Sequence, residues 1–355
     1  WVDNLGHNLF QRVYLTHNDL TAQEFTSFWL DFNFQFNVSA SKRIGYRNMI
    51  GAVASMTTPR GVGLALGSGQ AINIPFPLWF GVDSGRALPV AALPFNETKL
   101  NYEIRDYKQL LIVYPGTSGG PGTRIATVND VYVFGSTTQV PTLVNPETYA
   151  MYDILIHQIQ QVQVQPMPNV ANGTLQSFDI RLSHSIVALY FAVRNNTIQN
   201  LKTNSGAEWS NYTSEPFANG LDPIATTQLL YENTLRFFMG ADYFSLVAPW
   251  YQSEAIPDVT GYHIWSYAIH SNGLNPSGST NYSKLANVSI AHQPSVGAQN
   301  AANTVAPVDK NGAPIQYPNI AGVLSPMTQS FEHVCMARNH NIGRVANGSF
   351  GFPTL

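Results

Sequence analysis

Cysteine is almost missing from this chain: Cys335 stands alone among 355 residues. A single thiol closes no internal disulfide, which argues against a disulfide-stapled secreted fold and for folding in a reducing compartment. Within "FEHVCMARN" it reads as a small buried apolar residue, since a nucleophile needs an activating base that the sequence does not place. Charge is scarce too, at 11% of residues against roughly 25% in ordinary soluble domains. So few charges beside 12% aromatics suit a subunit of a large assembly, much of whose surface faces other subunits. A carbohydrate-binding β protein would share the pattern. The 18 Lys and Arg are scattered and the net charge is −3, so the basic footprint of a nucleic-acid binder is lacking and direct genome packaging is not expected. The longest apolar run, "IVALYFAV", falls far below the ~20 residues a bilayer-spanning helix needs. No membrane span is expected.

The residue patterns that carry chemistry are lacking as well. The nine His are dispersed, without HExxH, His-x-His or zinc-type Cys/His spacing. His333 and His340 are better explained by opposite faces of a strand, or by solvent, than by a metal. "GVGLALGSG" (61–69) lacks the Gly-Lys-Ser/Thr ending of a phosphate loop, and "GTSGG" lacks the strand-turn-helix context of a nucleophile elbow. Glycoside hydrolysis, the best enzymatic option for an all-β chain, needs two carboxylates across a cleft. Glu97, Glu103 and Asp106 are neighbours in sequence, as are Glu232 and Asp242, but proximity along the chain does not pair them in space. No catalytic, cofactor-binding or metal-ligating residue is therefore expected. Eight Asn-x-Ser/Thr sequons occur, at Asn37, Asn96, Asn172, Asn195, Asn211, Asn281, Asn287 and Asn347, where composition alone gives about four. Asn211, Asn281 and Asn287 are the candidate glycosylation sites, and the expectation is that they serve turns and strands instead.

What the chain does have is aromatic and β-branched residues in short runs. Residues 19–36, "DLTAQEFTSFWLDFNFQF", predict an amphipathic helix: Thr21 and Glu24 form a capping box, and Phe25, Phe28, Trp29, Phe32 and Phe36 recur at helical spacing. Elsewhere apolar runs separated by Gly, Pro, Asn and Ser predict many strands. "NETKLNYEIRDY" alternates Leu100, Tyr102 and Ile104 with polar residues. "YDILIHQIQQVQVQP" reads as a strand ended by Pro166. "SFDIRLSHSIVALYFAVRN" alternates at Phe178, Ile180 and Leu182, then becomes apolar on both faces from Ile186 to Val193, as a central strand of a sandwich does. Long polar connections at 55–71, 115–128, 195–228 and 292–326, with 22 Pro, point to a sandwich or jelly roll. A break near "VNPETYAMYD" (144–153) separates residues 1–150 from 151–355. The chain opens on Trp1 with neither Met nor signal peptide, and the expectation is an N-terminally incomplete sequence.

Read end to end, the chain resembles the major capsid proteins of iridoviruses, among the large nucleocytoplasmic DNA viruses. The resemblance rests on "HNDL", "SKRIGYRNMIG", "IPFPLWFGVDSGRALPVAALPFNETKLNYEIRD", "DIRLSHSIVALYFAVRN", "SNYTSEP", "LLYENTLRFFMGADYFSLVAPWY", "NPSGSTNYSKLANVSI" and "NHNIGRVANGSFGFPTL", in order. It implies an all-β tandem double jelly roll, two eight-stranded β-sandwiches, with 1–150 the first (truncated at its N-terminus) and 151–355 the second. It implies a homotrimer of pseudo-hexagonal outline tiling an icosahedral shell. Its partners would be further copies of itself and the minor capsid and penton proteins of the virion. Such a chain would reside in the outer capsid shell after assembly in the host cytoplasm. By the same likeness, "PSGSTNYSKLANVSI" (276–290) is a turn entering a late strand, with Tyr282, Val288 and Ile290 packing inward. The alternative from another class is a glycan-binding jelly roll, a lectin or attachment domain, which needs a shallow cleft lined by aromatics and amides.

Overall fold

The computed structural model describes residues 1–57, 71–110, 151–200, 208–216, 220–308, 310–314, 316–318, 324–326 and 328–353. The glycine-containing stretches 61–69 and 116–120, the connection 115–128 and most of the break at 144–153 lie outside the described residues. The first elements are a short helix, α1 (Leu5–Asn8), and two antiparallel strands, β1 (Phe10–His17) and β2 (Leu20–Thr26). Asn18 turns the β1–β2 hairpin with a positive φ of 54°, a conformation that Asn tolerates better than most side chains. Helix α2 (Ser27–Asn37) follows β2 directly, then α3 (Ala40–Ile50). Strand β3 (Thr98–Ile104) pairs with β1 to give a three-stranded sheet in the order β2-β1-β3.

The expected helix over 19–36 is corrected at its beginning. Residues 20–26 are strand, and the Thr21/Glu24 capping box does not form. Glu24 instead lies opposite Tyr14 and takes a two-pronged hydrogen bond from Arg12, with both contacts at 2.7 Å. Cross-strand pairing has overridden a local capping preference. From Ser27 onward the aromatic stripe is helical as its spacing predicts. The helix is buried nearly all round, which is the condition of a helix held between layers.

Among the described residues, 151–353 build two large sheets and a small two-stranded one. The larger contains β7 (Ser185–Asn195), β10 (His263–Ser266), β11 (Thr280–Asn281) and the long β15 (Phe331–Ala346). It also contains β4 (Tyr152–Gln161), β5 (Gln165–Met167) and β16 (Ser349–Gly351). The smaller runs β6-β12-β8-β9, with β6 at Gln176–Asp179, β8 at Ile224–Tyr231, β9 at Thr234–Gly240 and β12 at Val288–Pro294. A separate hairpin joins β13 (Gln316–Pro318) and β14 (Leu324–Pro326). The run "SFDIRLSHSIVALYFAVRN" is thus two strands in different sheets. The chain crosses between them at 180–184, where His184 adopts φ 65°. Pro166 does not end the preceding series. It sits in β5, which among the described residues pairs only with β15, an edge position where a missing N–H costs no ladder bond.

Strand β7 explains how the layers are stacked. Ile186, Leu189, Phe191 and Val193 enter the core between the two sheets, with Phe178, Leu229, Ile290 and Cys335. Ala188, Tyr190 and Ala192 face the other way, into a second core with Phe28, Trp29, Phe32 and Phe36 of α2. Ile186 and Leu189 share a face because the register against β15 slips between Arg338 and Asn339, an irregularity opposite Val187. A strand buried on both sides has no polar face to show, and hence its unbroken apolar run. Helix α2 is the fastening: Trp29 meets the Tyr190 ring edge-on at 5.1 Å, while Phe34 stacks on Tyr46 of α3 at 4.8 Å.

Candidate assembly surface

The sequence-predicted chemistry does not converge. Among the described residues no group of three or more His, Cys, Asp or Glu is placed to hold a metal. Glu97 pairs with Lys99 at 2.8 Å and Glu103 lies 3.7 Å from Arg12, both on the exposed face of the three-stranded sheet. Glu232 accepts the Ala286 N–H across a hairpin end. Each of these carboxylates is occupied locally. Cys335 is buried against the sandwich core, and burial pushes its thiol up to about 12, far from the reactive range.

One cluster looks catalytic until its access is considered. His7 Nδ1 lies 2.6 Å from Asp31, whose other oxygen accepts the Ser210 hydroxyl at 2.6 Å. The carboxylate stands between Ser and His, the reverse of a nucleophile–base order. His7 and Asp31 are fully buried, and Tyr46 closes the second imidazole nitrogen at 3.0 Å. This network ties α1, α2 and residues 208–216 together. It is a polar bolt within the core.

The candidate sequons have different fates. Asn211 is buried: its Nδ2 donates to Glu215 O at 2.7 Å and its Oδ1 accepts from the Thr213 N–H and hydroxyl. Both sequon side chains are consumed by that turn. Asn281 is exposed and its Oδ1 caps the Ser283 N–H at 3.0 Å. Asn287 is exposed at the lip of β12 and its carbonyl accepts the Glu232 N–H. Tyr282, Val288 and Ile290 are buried in the sandwich core, as read from the sequence, and Leu285 packs against its rim.

What the surface does offer is apolar area. Leu235, Phe238 and Met239 of β9 are about half exposed. Immediately after them comes the π-helical turn Tyr243–Val247 and the helix Ala248–Gln252. These present Leu246 and Val247, with Trp250 and Tyr251 at 70% and 72% exposure. Phe244 anchors the turn inward against Phe191, Phe237 and Trp265, so the exposed side chains stand on a fixed base. β9 pairs only with β8 and is a sheet edge among the described residues. Strand β3 also leaves Leu100, Tyr102 and Ile104 partly exposed beside buried Leu15, Val13 and Phe10 of β1. Large apolar side chains left exposed at a sheet edge and on the turn beside it mark contact surfaces. Sequence reasoning missed those of β9 and the helix Ala248–Gln252. Its signal was present in "LRFFMGADYFSLVAPWY", which carries more large apolar residues than one buried face can absorb.

Comparisons with known proteins agree with a contact-building role. Residues 149–351 match the family model described as large eukaryotic DNA virus major capsid protein, and residues 1–152 match that of the major capsid protein N-terminus. The major capsid protein of Invertebrate iridescent virus 3 is 40% identical, the match covering 100% of this chain and 77% of that protein. That of Tipula iridescent virus is 41% identical over 98% of this chain and 76% of its own length. That of Lymphocystis disease virus 1 is 38% identical over 100% and 77%. Among solved structures, the PBCV-1 virus capsid superposes with a TM-score of 0.66 at 16% identity, covering 100% of this chain and 85% of that one. The Faustovirus major capsid protein gives 0.62 at 14%, covering 96% and 72%. Both show the fold, an all-β double jelly roll. The chain belongs to the major capsid protein family of the large eukaryotic DNA viruses, with relatives in the iridoviruses, and is a structural component of the virion capsid.

Proposed function

We propose that the chain works by self-association: residues 1–150 and 151–355 are two jelly rolls, three copies form a trimer of pseudo-hexagonal outline, and trimers tile an icosahedral shell. The observation that carries this reading is the exposed apolar strip of β9 and the helix Ala248–Gln252, in a chain with 11% charged residues. A stable protein–protein contact needs on the order of 1,000 Å² of well-fitted surface, and a rigid strip bearing Trp and Tyr is the kind of centre around which one forms. Assembly takes place in the host cytoplasm, and minor capsid and penton proteins complete the shell. No catalytic, cofactor or metal group is needed. The glycan-binding alternative calls for aromatics framed by amides. Trp250 and Tyr251 follow the exposed aliphatic Leu246 and Val247, which favours protein contact. Light scattering after gel filtration tests the reading: a trimer at about 10 µM, reduced to monomer by Trp250→Glu with Phe238→Glu, is expected. A folded monomer for the unmodified chain across that concentration range would overturn it.

A further inference from the structure

Strand β15 carries two histidines seven positions apart, His333 and His340, and each meets a histidine from another strand. His333 enters the sandwich core, where its ring stacks on Phe178 with centroids 4.4 Å apart. Its Nδ1 lies 3.2 Å from Nε2 of His292 on β12, whose Nδ1 is 3.0 Å from the Thr227 hydroxyl. Both imidazoles are fully buried. His340 lies directly opposite His157 of β4, with ring centroids 4.8 Å apart. Two strands of different sheets are therefore joined to β15 through imidazole pairs.

Proton counting shows what each pair tolerates. The His292–His333 contact holds one proton between two nitrogens, so a neutral pair satisfies it. With both rings protonated, N–H would face N–H at 3.2 Å, and among the described residues no carboxylate pairs with either ring. The other titratable groups here are His263 of β10, whose Nε2 is 2.8 Å from Asp222, and the Cys335 thiol on β15. Asp222 is already engaged by His263, and the Arg194–Glu332 ion pair sits one position along, on the opposite face of β15 and β7. Around His157 and His340 the charged neighbours are cationic. Arg86 Nη1 lies 3.5 Å from His157 Nδ1, and the guanidinium of Arg338 repels both rings. Asp83 acts on Arg86, and Asp153 is held by Arg344 further along the β4–β15 ladder. Among the described residues no carboxylate pairs with His292, His333, His157 or His340. Burial accordingly holds His333 down to about 3 and His157, with help from Arg338 and Arg86, down to about 2. His292 and His340 are shifted the same way.

We propose that β15 is an acid-sensitive spine of the subunit: the two imidazole pairs stay neutral in the closed fold and take up protons only when β15 parts from β12 and β4, so mildly acidic solution opens the molecule along this strand. The position suits the role. The first half of β15 lies between β7 and β5, and its second half pairs with β4, which packs on Leu15, Ala22 and Trp79 of the N-terminal part. Loosening one strand therefore releases both layers. The sign follows from linkage. An imidazole of ordinary value 6.5 that cannot protonate in the fold is neutral in both states above that pH, and costs stability as pH falls below it. At pH 5.5 each such group favours the open state about tenfold, and the fully buried pair together about a hundredfold.

Amide hydrogen exchange of the full chain at pH 7.5 and 5.5, corrected for intrinsic rates, is the direct test. The expected result is a loss of protection in peptides covering 331–346 and 288–294 at least tenfold greater than in 27–37. His157→Gln, on the less buried pair, and the double variant His292→Gln/His333→Gln should each flatten the stability profile between pH 7.5 and 5.5. If the double variant does not fold, the exchange map of the unmodified chain decides. Uniform protection loss, or an unchanged pH profile in His157→Gln together with an unaffected β15, would overturn the proposal.

Discussion

Replacing Phe32 by Ala probes the joint between the two halves of the molecule. Phe32 is fully buried on α2 and its ring meets four others. Tyr262 is at 4.9 Å, Tyr212 at 5.6 Å, Phe36 at 6.2 Å and Tyr190 at 6.3 Å. Truncating a packed Phe costs about 3–5 kcal/mol through lost transfer energy and an unfilled cavity. Edge-on aromatic pairs add about 0.5–1.5 kcal/mol each beyond area, and partners from α2 itself and three other segments leave the cavity little room to collapse. The expected loss is about 4–5 kcal/mol, read as a fall in urea midpoint at unchanged slope. Phe95→Ala, at a ring 70% exposed, is the control and should cost under about 0.5 kcal/mol. A loss below about 1 kcal/mol for Phe32→Ala would refute the account of α2 as the fastening. So would a split into two transitions of which only one moves, since the shared core requires both halves to feel the cavity.

Three further outcomes are expected. Gly261 has φ 96°, and a Cβ there would sit 1.9 Å from the Tyr212 carbonyl oxygen; Gly261→Ala should destabilise by more than about 3 kcal/mol in thermal melts, or prevent folding. Cys335, buried with its thiol pushed up to about 12, should stay unlabelled by a thiol reagent at pH 8 until denaturant unfolds the sandwich; prompt labelling of the native chain would contradict its placement. The Glu208 carboxyl is pushed up to about 8 by burial and by Asp3. It gains a proton on folding, so its contribution weakens the fold as pH rises from about 4.5 to 8. Glu208→Gln should flatten that part of the profile, opposite in sense to the histidine variants, and a steeper profile would show the sign to be wrong.

The residues that declared themselves in sequence were those whose neighbours along the chain share their fate. The two-faced run of β7 and the aromatic stripe of α2 from Phe28 to Phe36 are local patterns with one structural solution. The capping box at Thr21 misled because Glu24 had a better partner in Arg12, twelve residues back. Only the sheet register decides between those options. The imidazole pairs were invisible for the same reason: His157 and His340 are brought together by antiparallel pairing across most of the second half of the chain. The exposed apolar side chains of β9 and the helix Ala248–Gln252 lay hidden in plain composition. An excess of Phe, Leu, Trp and Tyr reads as core until the fold shows which of them the core leaves out.

β15 also sets a clock. Among the described strands only β16 follows it in the chain, yet it lies between β7 and β4 in the middle of the larger sheet. During synthesis both of those strands present open edges until residues 331–346 have emerged, because their shared neighbour is made after both of them. A nascent chain thus cannot close its sandwich or fix its layers early, and a copy cut short before residue 331 keeps two sticky edges instead of a finished flank. Synthesis of residues 331–346 becomes a checkpoint: the larger sheet gains its central strand only once this segment has emerged.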